Sequence, residues 1–287
     1  MLIGHKKIIK DLSTFVKNET LGHGYIFFGP GMVGKRMVAQ ALANFLETGT
    51  FETPNDHVLL QDAKTIDIAY MKSLDPDTKD SIGIDAVREI KNFLWQKPNA
   101  STRRVLIIDG VEFLTTEAQN ALLKITEEPP ASSLLILITS DIESVMPTIL
   151  SRLPKVYFGA IEKPAIAEWL IKEEGMTKAK AEALAEQAMG KPGLAWRLLH
   201  DEPFKENLET AKKFIKTPAA SRKEFIKKIL EPEDFNLRIF LEAVIVNLAW
   251  EKPSKAKAAF WHKALKLYEN ANNFGLNPRL QLENLLR

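Results

Sequence analysis

Short apolar runs alternate with amphipathic stretches in the first half of the chain. The runs predict strands at residues 25–28, 56–61, 105–108, 134–138 and 155–158. Apolar residues at intervals of three and four predict helices at residues 35–47, 84–95 and 116–127. Uninterrupted apolar strands that alternate with helices are typical of a parallel sheet covered on both faces, so the sequence predicts an α/β fold.

The pattern changes after residue 158, where only helical periodicity remains. Residues 161–199 predict a small helical unit, and further amphipathic helices follow residue 200. Residues 235–250 are apolar on nearly all sides, which predicts a helix at the centre of its domain. We therefore predict three domains: an α/β domain at 1–159 and two all-α domains at 160–201 and 202–287.

Composition narrows the function classes. The 287 residues carry a formal net charge of only +2, so no basic field for nucleic acid covers the whole chain. Cysteine is absent, which excludes disulfides and thiolate metal sites. Because the N-terminus lacks the apolar core of a signal peptide and no apolar run is long enough for a bilayer, we expect a cytoplasmic protein without membrane contact.

A glycine-rich loop follows the first predicted strand. Residues 29–35 read GPGMVGK, which places Gly29, Gly34 and Lys35 in a G-x-x-x-x-G-K pattern that opens a helix. Backbone N–H groups of such a turn bind phosphate, and the lysine reaches the outer phosphates. The sequence therefore predicts a nucleotide-binding loop, with a plain strand-to-helix turn as the alternative.

The residue after this lysine predicts a defect. A working loop has Ser or Thr there, and the hydroxyl binds Mg²⁺. Arg36 stands at that position; it cannot ligate a metal, and its charge opposes a cation. Since the metal neutralises charge that develops on the phosphates, its loss should remove much of the transition-state stabilisation.

The stretch from residue 105 to 152 carries a family resemblance. The segments AQNALLKITEEPP, at residues 118–130, and PTILSR, at 147–152, closely resemble the AAA+ clamp-loader family of bacterial DNA polymerase III, in particular its delta-prime-type members. Further similar segments are IGH at 3–5, HGYIF at 23–27, IDAVREI at 84–90 and LNPRLQLENLL at 276–286. The resemblance therefore spans nearly the whole chain.

The resemblance implies a RecA-like AAA+ P-loop domain with a parallel sheet, followed by an all-α lid and an all-α collar. It also implies a process, the ATP-dependent loading of a ring-shaped sliding clamp onto primer–template DNA. The implied partners are gamma/tau-type and delta subunits in a hetero-pentameric ring, together with the clamp and the DNA.

A second defect follows from the resemblance. Asp109 directly follows the strand predicted at residues 105–108, so it is expected near the phosphate loop. The alternative is an acidic residue at a strand end with no role in the site. Active members have glutamate next, to orient the attacking water, whereas this chain has Gly110. Glu112 lies two positions further and is expected to point elsewhere. The changes at Arg36 and Gly110 affect the same site, so the sequence predicts a subunit that does not hydrolyse ATP.

Other family features are also missing. Many members carry four zinc-binding cysteines after the first helix, and this chain has none, so no zinc is expected. The lid arginine that senses nucleotide in active members is replaced by Gly193, and Arg197, one turn along, is not expected to substitute for it. No cofactor is therefore required, while ATP binding by the damaged loop stays open.

Three further roles come from the resemblance. Arg152 is expected to act as an arginine finger in a neighbour's ATP site, with a surface salt bridge as the alternative. The first sensor is expected at Thr139 or Ser140, with capping of the following turn as the alternative. Lys124 is expected to contact DNA phosphates, unless it only pairs with Glu128 along its helix.

The expected function is that of a delta-prime-type ring subunit that supports clamp loading in DNA replication. Its Arg152 is expected to act in the ATP site of an adjacent ATPase subunit. An active gamma/tau-type ATPase is the alternative. A free-standing DNA-binding module is disfavoured by the low net charge and the lack of a groove-reading motif.

Overall fold

The protein is described by a computed structural model that covers residues 2–54, 59–74, 81–232, 235–252, 254–270 and 277–285. The chain divides into two compact units, residues 1–193 and 194–287. The predicted domain boundaries after residues 159 and 201 stay predictions. No helix in the described ranges is long and apolar enough to cross a membrane.

A five-stranded parallel sheet forms the centre of the first unit. Its strands are β1 (Gly24–Phe28), β2 (Ala63–Ile66), β3 (Arg104–Asp109), β4 (Ser133–Thr139) and β5 (Lys155–Tyr157). Their order across the sheet is β2-β3-β4-β1-β5, and every pairing is parallel. Since parallel strands all end at the same edge, the loops after β1, β3 and β4 come together there.

Helices cover both faces of this sheet, as predicted. They are α1 (Lys6–Lys17), α2 (Lys35–Thr48), α3 (Ile68–Leu74), α4 (Ile84–Leu94), α5 (Thr116–Glu127) and the short α6 (Pro147–Leu150). Alternate residues of β3 enter different cores: Val105 and Ile107 pack with α1 and α2, whereas Leu106 and Ile108 pack with α4 and α5. The result is a three-layer α/β/α sandwich.

Helices alone follow the sheet. The lid region contains α7 (Lys163–Glu173), α8 (Lys178–Gln187) and α9 (Pro192–His200). Helices α7 and α8 pack against each other, and Ile166, Leu170, Ala181 and Ala185 on their facing sides are buried. Helix α9 spans the point at which the two compact units divide.

The second unit is all helical. It contains α10 (Glu202–Lys216), α11 (Arg222–Ile229), α12 (Leu237–Trp250), α13 (Lys255–Asn270) and α14 (Pro278–Leu285). Helix α12 packs against both α10 and α13, and the rings of Phe240 and Phe214 meet edge to face at 5.4 Å. Asn247 is buried there and donates hydrogen bonds to the carbonyls of Leu208 and Ala243. The predicted central helix is therefore confirmed.

One predicted strand is wrong. The strand expected at residues 56–61 lies instead at Ala63–Ile66; residues 59–62 are not strand, and 55–58 are outside the described residues. The buried carboxylate of Asp62 accepts hydrogen bonds from the backbone N–H groups of Asn99, Ala100 and Ser101. This anchor fixes where the chain enters the sheet, so β2 begins only after it.

Candidate phosphate-binding site

The glycine-rich loop joins β1 to α2, as its sequence predicted. Gly29 has φ +133°, and a Cβ atom there would lie 2.2 Å from the carbonyl oxygen of Phe158, so only glycine fits. Gly34 has φ +102° and caps α2. His5 supports the loop from outside, because its Nε2 lies 2.9 Å from the carbonyl oxygen of Val33.

Lys35 is turned towards its own loop. Its Nζ donates hydrogen bonds to the carbonyls of Gly29 at 2.6 Å and Pro30 at 2.7 Å. Burial lowers the pKa of Lys35, and the negative charges of Glu112 and Asp109 offset part of that effect. The ammonium is therefore bound to the main chain of the loop, and the charges of two carboxylates act on it.

Arg36 follows Lys35, at the position where a working loop has its metal-binding hydroxyl. Its Nη1 pairs with a carboxylate oxygen of Asp67 and lies 3.5 Å from Oδ2 of Asp109. Burial raises the pKa of Asp109, the guanidinium lowers it, and the charges of Asp67 and Glu112 raise it again. Because a cationic side chain already faces Asp109 and no hydroxyl follows Lys35, these residues do not fit a magnesium ion.

The turn after β3 corrects one expectation. Gly110 has φ +95°, and a Cβ there would lie 2.5 Å from the ring of Phe113, so glutamate does not fit this backbone. Glu112 was expected to point elsewhere, which is wrong: its Oε1 accepts a 2.6 Å hydrogen bond from Oγ of Ser140, and its charge acts on Lys35 and Asp109. The left-handed glycine begins a short 3₁₀ turn, Val111–Phe113, that turns this carboxylate back towards the loop.

The two candidate sensors differ in their surroundings. Thr139 is buried, and its Oγ1 donates to the carbonyl of Asp141 and accepts from the N–H of that residue, with a longer contact of 3.5 Å to Oγ of Ser144. Its bonds are those of the turn-capping alternative. Ser140 instead bonds to Glu112, and of the two hydroxyls it is the one that contacts a charged side chain.

The lid approaches the loop through its main chain. The N–H of Gly193 donates a 3.0 Å hydrogen bond to the carbonyl of Met32, and a Cβ at Gly193 would lie 3.0 Å from Cβ of Met32. A larger residue at position 193 would therefore push against the loop. Arg197 is engaged in ion pairs with Asp201 and Glu242 at 2.9 Å each.

Arg152 follows α6 and is 35% exposed. Its Nη2 pairs with Oε1 of Glu127 at 2.6 Å, and its Nη1 donates to the carbonyl of Thr148. The salt bridge that sequence reasoning left as the alternative is thus formed within the single chain. Contact with a neighbouring subunit stays a proposal.

Lys124 is an exposed residue of α5. Within the described parts of the chain it forms no ion pair with Glu128, so the pairing offered as its simple explanation is not formed. Its ammonium is open to solvent. Contact with DNA phosphates stays a prediction.

The sequence model of the family described as "DNA polymerase III, delta subunit" matches residues 4–162, more than half of the chain. The chain belongs to this clamp-loader family. The matched region contains the loop, Arg36, Asp109, Glu112, Lys124 and Arg152.

Relatives of this clamp-loader chain include gamma/tau subunits of DNA polymerase III. It is 32% identical to the Mycobacterium bovis gamma/tau subunit over 154 residues, 53% of this chain and 27% of that protein. It is 31% identical to the Bacillus subtilis tau subunit over 194 residues, 63% of this chain and 34% of that protein. The similarity thus spans about a third or less of these relatives.

Solved structures show the fold of this clamp-loader chain. A gamma-subunit-related protein from Thermotoga maritima matches with a TM-score of 0.60 at 21% identity and covers 97% of both chains. The RuvB Holliday junction branch migration motor from the same organism matches with a TM-score of 0.51 at 16% identity, covering 97% of this chain and 87% of that one. The first part of the chain therefore has the RecA-like AAA+ fold.

Asp67 is a site residue that sequence reasoning missed. It begins α3, where its Oδ1 accepts a 2.7 Å hydrogen bond from the N–H of Tyr70. An aspartate directly before the first residue of a helix is a capping signal, and that signal was present in the sequence. Its pairing with Arg36, however, joins positions 31 residues apart and depends on the fold.

Proposed function

We propose that this clamp-loader family member is a delta-prime-type subunit that does not hydrolyse ATP. The observation that carries the proposal is the position of Arg36. Its guanidinium faces Asp109, and no hydroxyl is present where one would bind a metal. Phosphoryl transfer depends on a metal that bridges and neutralises the phosphates, so a site without one is a poor catalyst.

The proposed contribution to catalysis is Arg152, acting as an arginine finger in the ATP site of an adjacent gamma/tau-type subunit. The side chain is partly exposed at the end of α6, and its planar fork suits phosphate oxygens. An arginine supplied in trans accelerates phosphoryl transfer by about 10³- to 10⁵-fold in known cases. A subunit can therefore support catalysis without a working site of its own.

The proposed setting is a hetero-pentameric ring with gamma/tau-type and delta subunits, which loads a sliding clamp onto primer–template DNA. The exposed Lys124 supports a contact with DNA phosphates, which would fix position without reading sequence. The unit that contains helices α10 to α14, at residues 202–287, would serve as the collar that joins the ring.

An active gamma/tau-type ATPase is the second candidate, and it is favoured by the gamma/tau subunits among the relatives. ATP hydrolysis by the purified chain, alone and mixed with partner subunits, separates the two. The delta-prime-type function predicts no hydrolysis above background alone, and Lys35→Ala should leave clamp loading almost unchanged. Robust hydrolysis by the isolated chain, or a large loss of loading in a folded Lys35→Ala variant, would favour the active ATPase.

A further inference from the structure

One guanidinium joins three elements at the edge of the sheet. Arg36 lies in the first turn of α2, Asp67 lies at the start of α3, and Asp109 ends β3. Nη1 of Arg36 pairs with Asp67 and lies 3.5 Å from Oδ2 of Asp109. The link therefore connects residues that are 31 and 73 positions away from Arg36 along the chain.

The carboxylates at this edge need a cation. The side chains of Asp67 and Asp109 are only 16% and 29% exposed, and the negative charge of Glu112 acts on Asp109 as well. The charge of Lys35 also acts on Asp109, but its ammonium donates its hydrogen bonds to the carbonyls of Gly29 and Pro30. Carboxylates that share a partly buried site repel one another unless a positive group lies between them.

We propose that Arg36 is a built-in replacement for a divalent cation, which neutralises Asp67 and Asp109 and ties α2 to β3 and α3. The phosphate loop then keeps its shape without metal or nucleotide. A guanidinium stays charged at any working pH, and because it is covalently attached it cannot be removed by a chelator. This inference is independent of the role of the chain in a ring.

The substitution Arg36→Thr tests this idea, because it removes the guanidinium and supplies a hydroxyl beside the two carboxylates. Hard oxygen ligands of this kind suit Mg²⁺ and Mn²⁺. In EDTA we expect the melting temperature to fall by about 2–4 °C, the size of a partly exposed ion pair in a domain of this length. Addition of Mg²⁺ should restore it, whereas the wild-type melting temperature should be the same in EDTA and in Mg²⁺.

A second readout is binding of Mn²⁺ alone, followed by electron paramagnetic resonance. Arg36→Thr should bind Mn²⁺, and the wild type should not. Adding Asp109→Asn to the Thr variant should abolish both the binding and the restored melting temperature. Arg36→Lys retains a charge without a metal ligand, so it should stay insensitive to Mg²⁺ and covers the case in which the Thr variant fails to fold.

Arg103→Thr is the matched control. Arg103 donates to the carbonyls of Gly22 and Leu21 at 2.9 and 2.8 Å, so its loss should destabilise the protein in a way that Mg²⁺ does not restore. Restoration of Arg103→Thr to the same degree would overturn the proposal. So would a wild-type protein that binds Mn²⁺ as well as the Thr variant, failure of Mg²⁺ to restore a folded Arg36→Thr, or an Arg36→Lys variant that Mg²⁺ stabilises.

Discussion

Ser140 donates a hydrogen bond from Oγ to Oε1 of Glu112 across 2.6 Å, and this bond joins the end of β4 to the turn after β3. The other oxygen, Oε2 of Glu112, is buried and has no hydrogen-bond partner among the described residues. The carboxylate, whose charge acts on Lys35 and Asp109, thus has one short donor, with a second, longer contact from the Ser140 N–H at 3.4 Å.

Replacing that donor should destabilise the protein. In Ser140→Ala the carboxylate loses its short hydrogen bond to Oε1, and because that bond lies at an exposed position the loss should be about 0.5–1.5 kcal/mol. The free energy of unfolding from urea denaturation measures the loss. Ser73→Ala is the control, because the exposed hydroxyl of Ser73 donates to the carbonyl of Tyr70 within its own helix. Equal small losses in both variants would show that the Ser140 bond adds little.

Asp62 should make stability depend on acid. Burial by itself raises the pKa of Asp62, but the N–H groups of residues 99–101 and the nearby Arg104 outweigh burial and hold the pKa below its usual range. A carboxylate with a depressed folded-state pKa stabilises the protein above its unfolded-state pKa, near 3.9, and that contribution is lost as pH falls through the folded-state value.

Asp62→Asn should therefore lower the free energy of unfolding by about 2–3 kcal/mol at pH 7, since hydrogen bonds to a charged acceptor are lost. The difference in free energy of unfolding between Asp62→Asn and the wild type should become steadily smaller below about pH 4. Denaturation curves between pH 7 and pH 2.5 measure it. Asp11→Asn, at an exposed position of α1, should match wild type throughout. If this difference stays constant with pH, the Asn variant is destabilised by altered packing and not by the loss of a charged hydrogen-bond acceptor.

Elements with a clean apolar pattern were predictable. Helix α5 occupies Thr116–Glu127, the predicted bounds, because its cap Thr115 and the following prolines mark both ends. Strand β2 was misplaced because it contains the polar Lys64 and Thr65 and is buried only at Ile66. The apolar residues before it misled the prediction, and Leu59 among them is 91% exposed.

Site residues could be predicted where they lie directly after a strand or at the start of a helix. The loop, Arg36 and Asp109 were found because each lies next to a strand or helix end. Glu112 was misjudged because it lies two positions beyond Gly110, where active family members have the glutamate, whereas Gly110 at φ +95° starts a turn that changes the direction of the chain. Asp67 needed knowledge of which loops meet at the sheet edge.

Exposed apolar residues of the helical second unit should take part in ring assembly if it is a collar. Trp261 on α13 is 41% exposed and Leu280 on α14 is 57% exposed. The double variant Trp261→Ala/Leu280→Ala should fold normally and bind partner subunits several-fold more weakly, as truncation of interface aromatics commonly does. Gel filtration of mixtures measures incorporation. The control is Trp95→Ala, because Trp95 lies on the first unit and is 47% exposed. Equal incorporation of both variants would argue against a role of Trp261 and Leu280 in ring assembly.

Arg152 gives the most direct test of the proposed function. Its ion pair with Glu127 is largely exposed, so Arg152→Ala should cost at most about 1 kcal/mol of stability and leave ring assembly intact. The ATPase of the adjacent active subunit should nevertheless fall sharply, because a finger in trans contributes about 10³- to 10⁵-fold. Arg152→Lys should not restore it, since a point ammonium cannot reproduce the planar fork.

Glu127→Gln separates the finger from the salt bridge. It removes the charge that Arg152 pairs with but leaves the guanidinium in place, so ATP hydrolysis by the neighbouring subunit should stay near the wild-type rate. Glu128→Gln, at the next residue, controls for the loss of one negative charge. If the salt bridge were the only role of Arg152, Glu127→Gln would reproduce the Arg152→Ala phenotype. Reconstituted complexes assayed for DNA- and clamp-stimulated ATP hydrolysis decide between the two, and wild-type rates with Arg152→Ala would remove the catalytic role altogether.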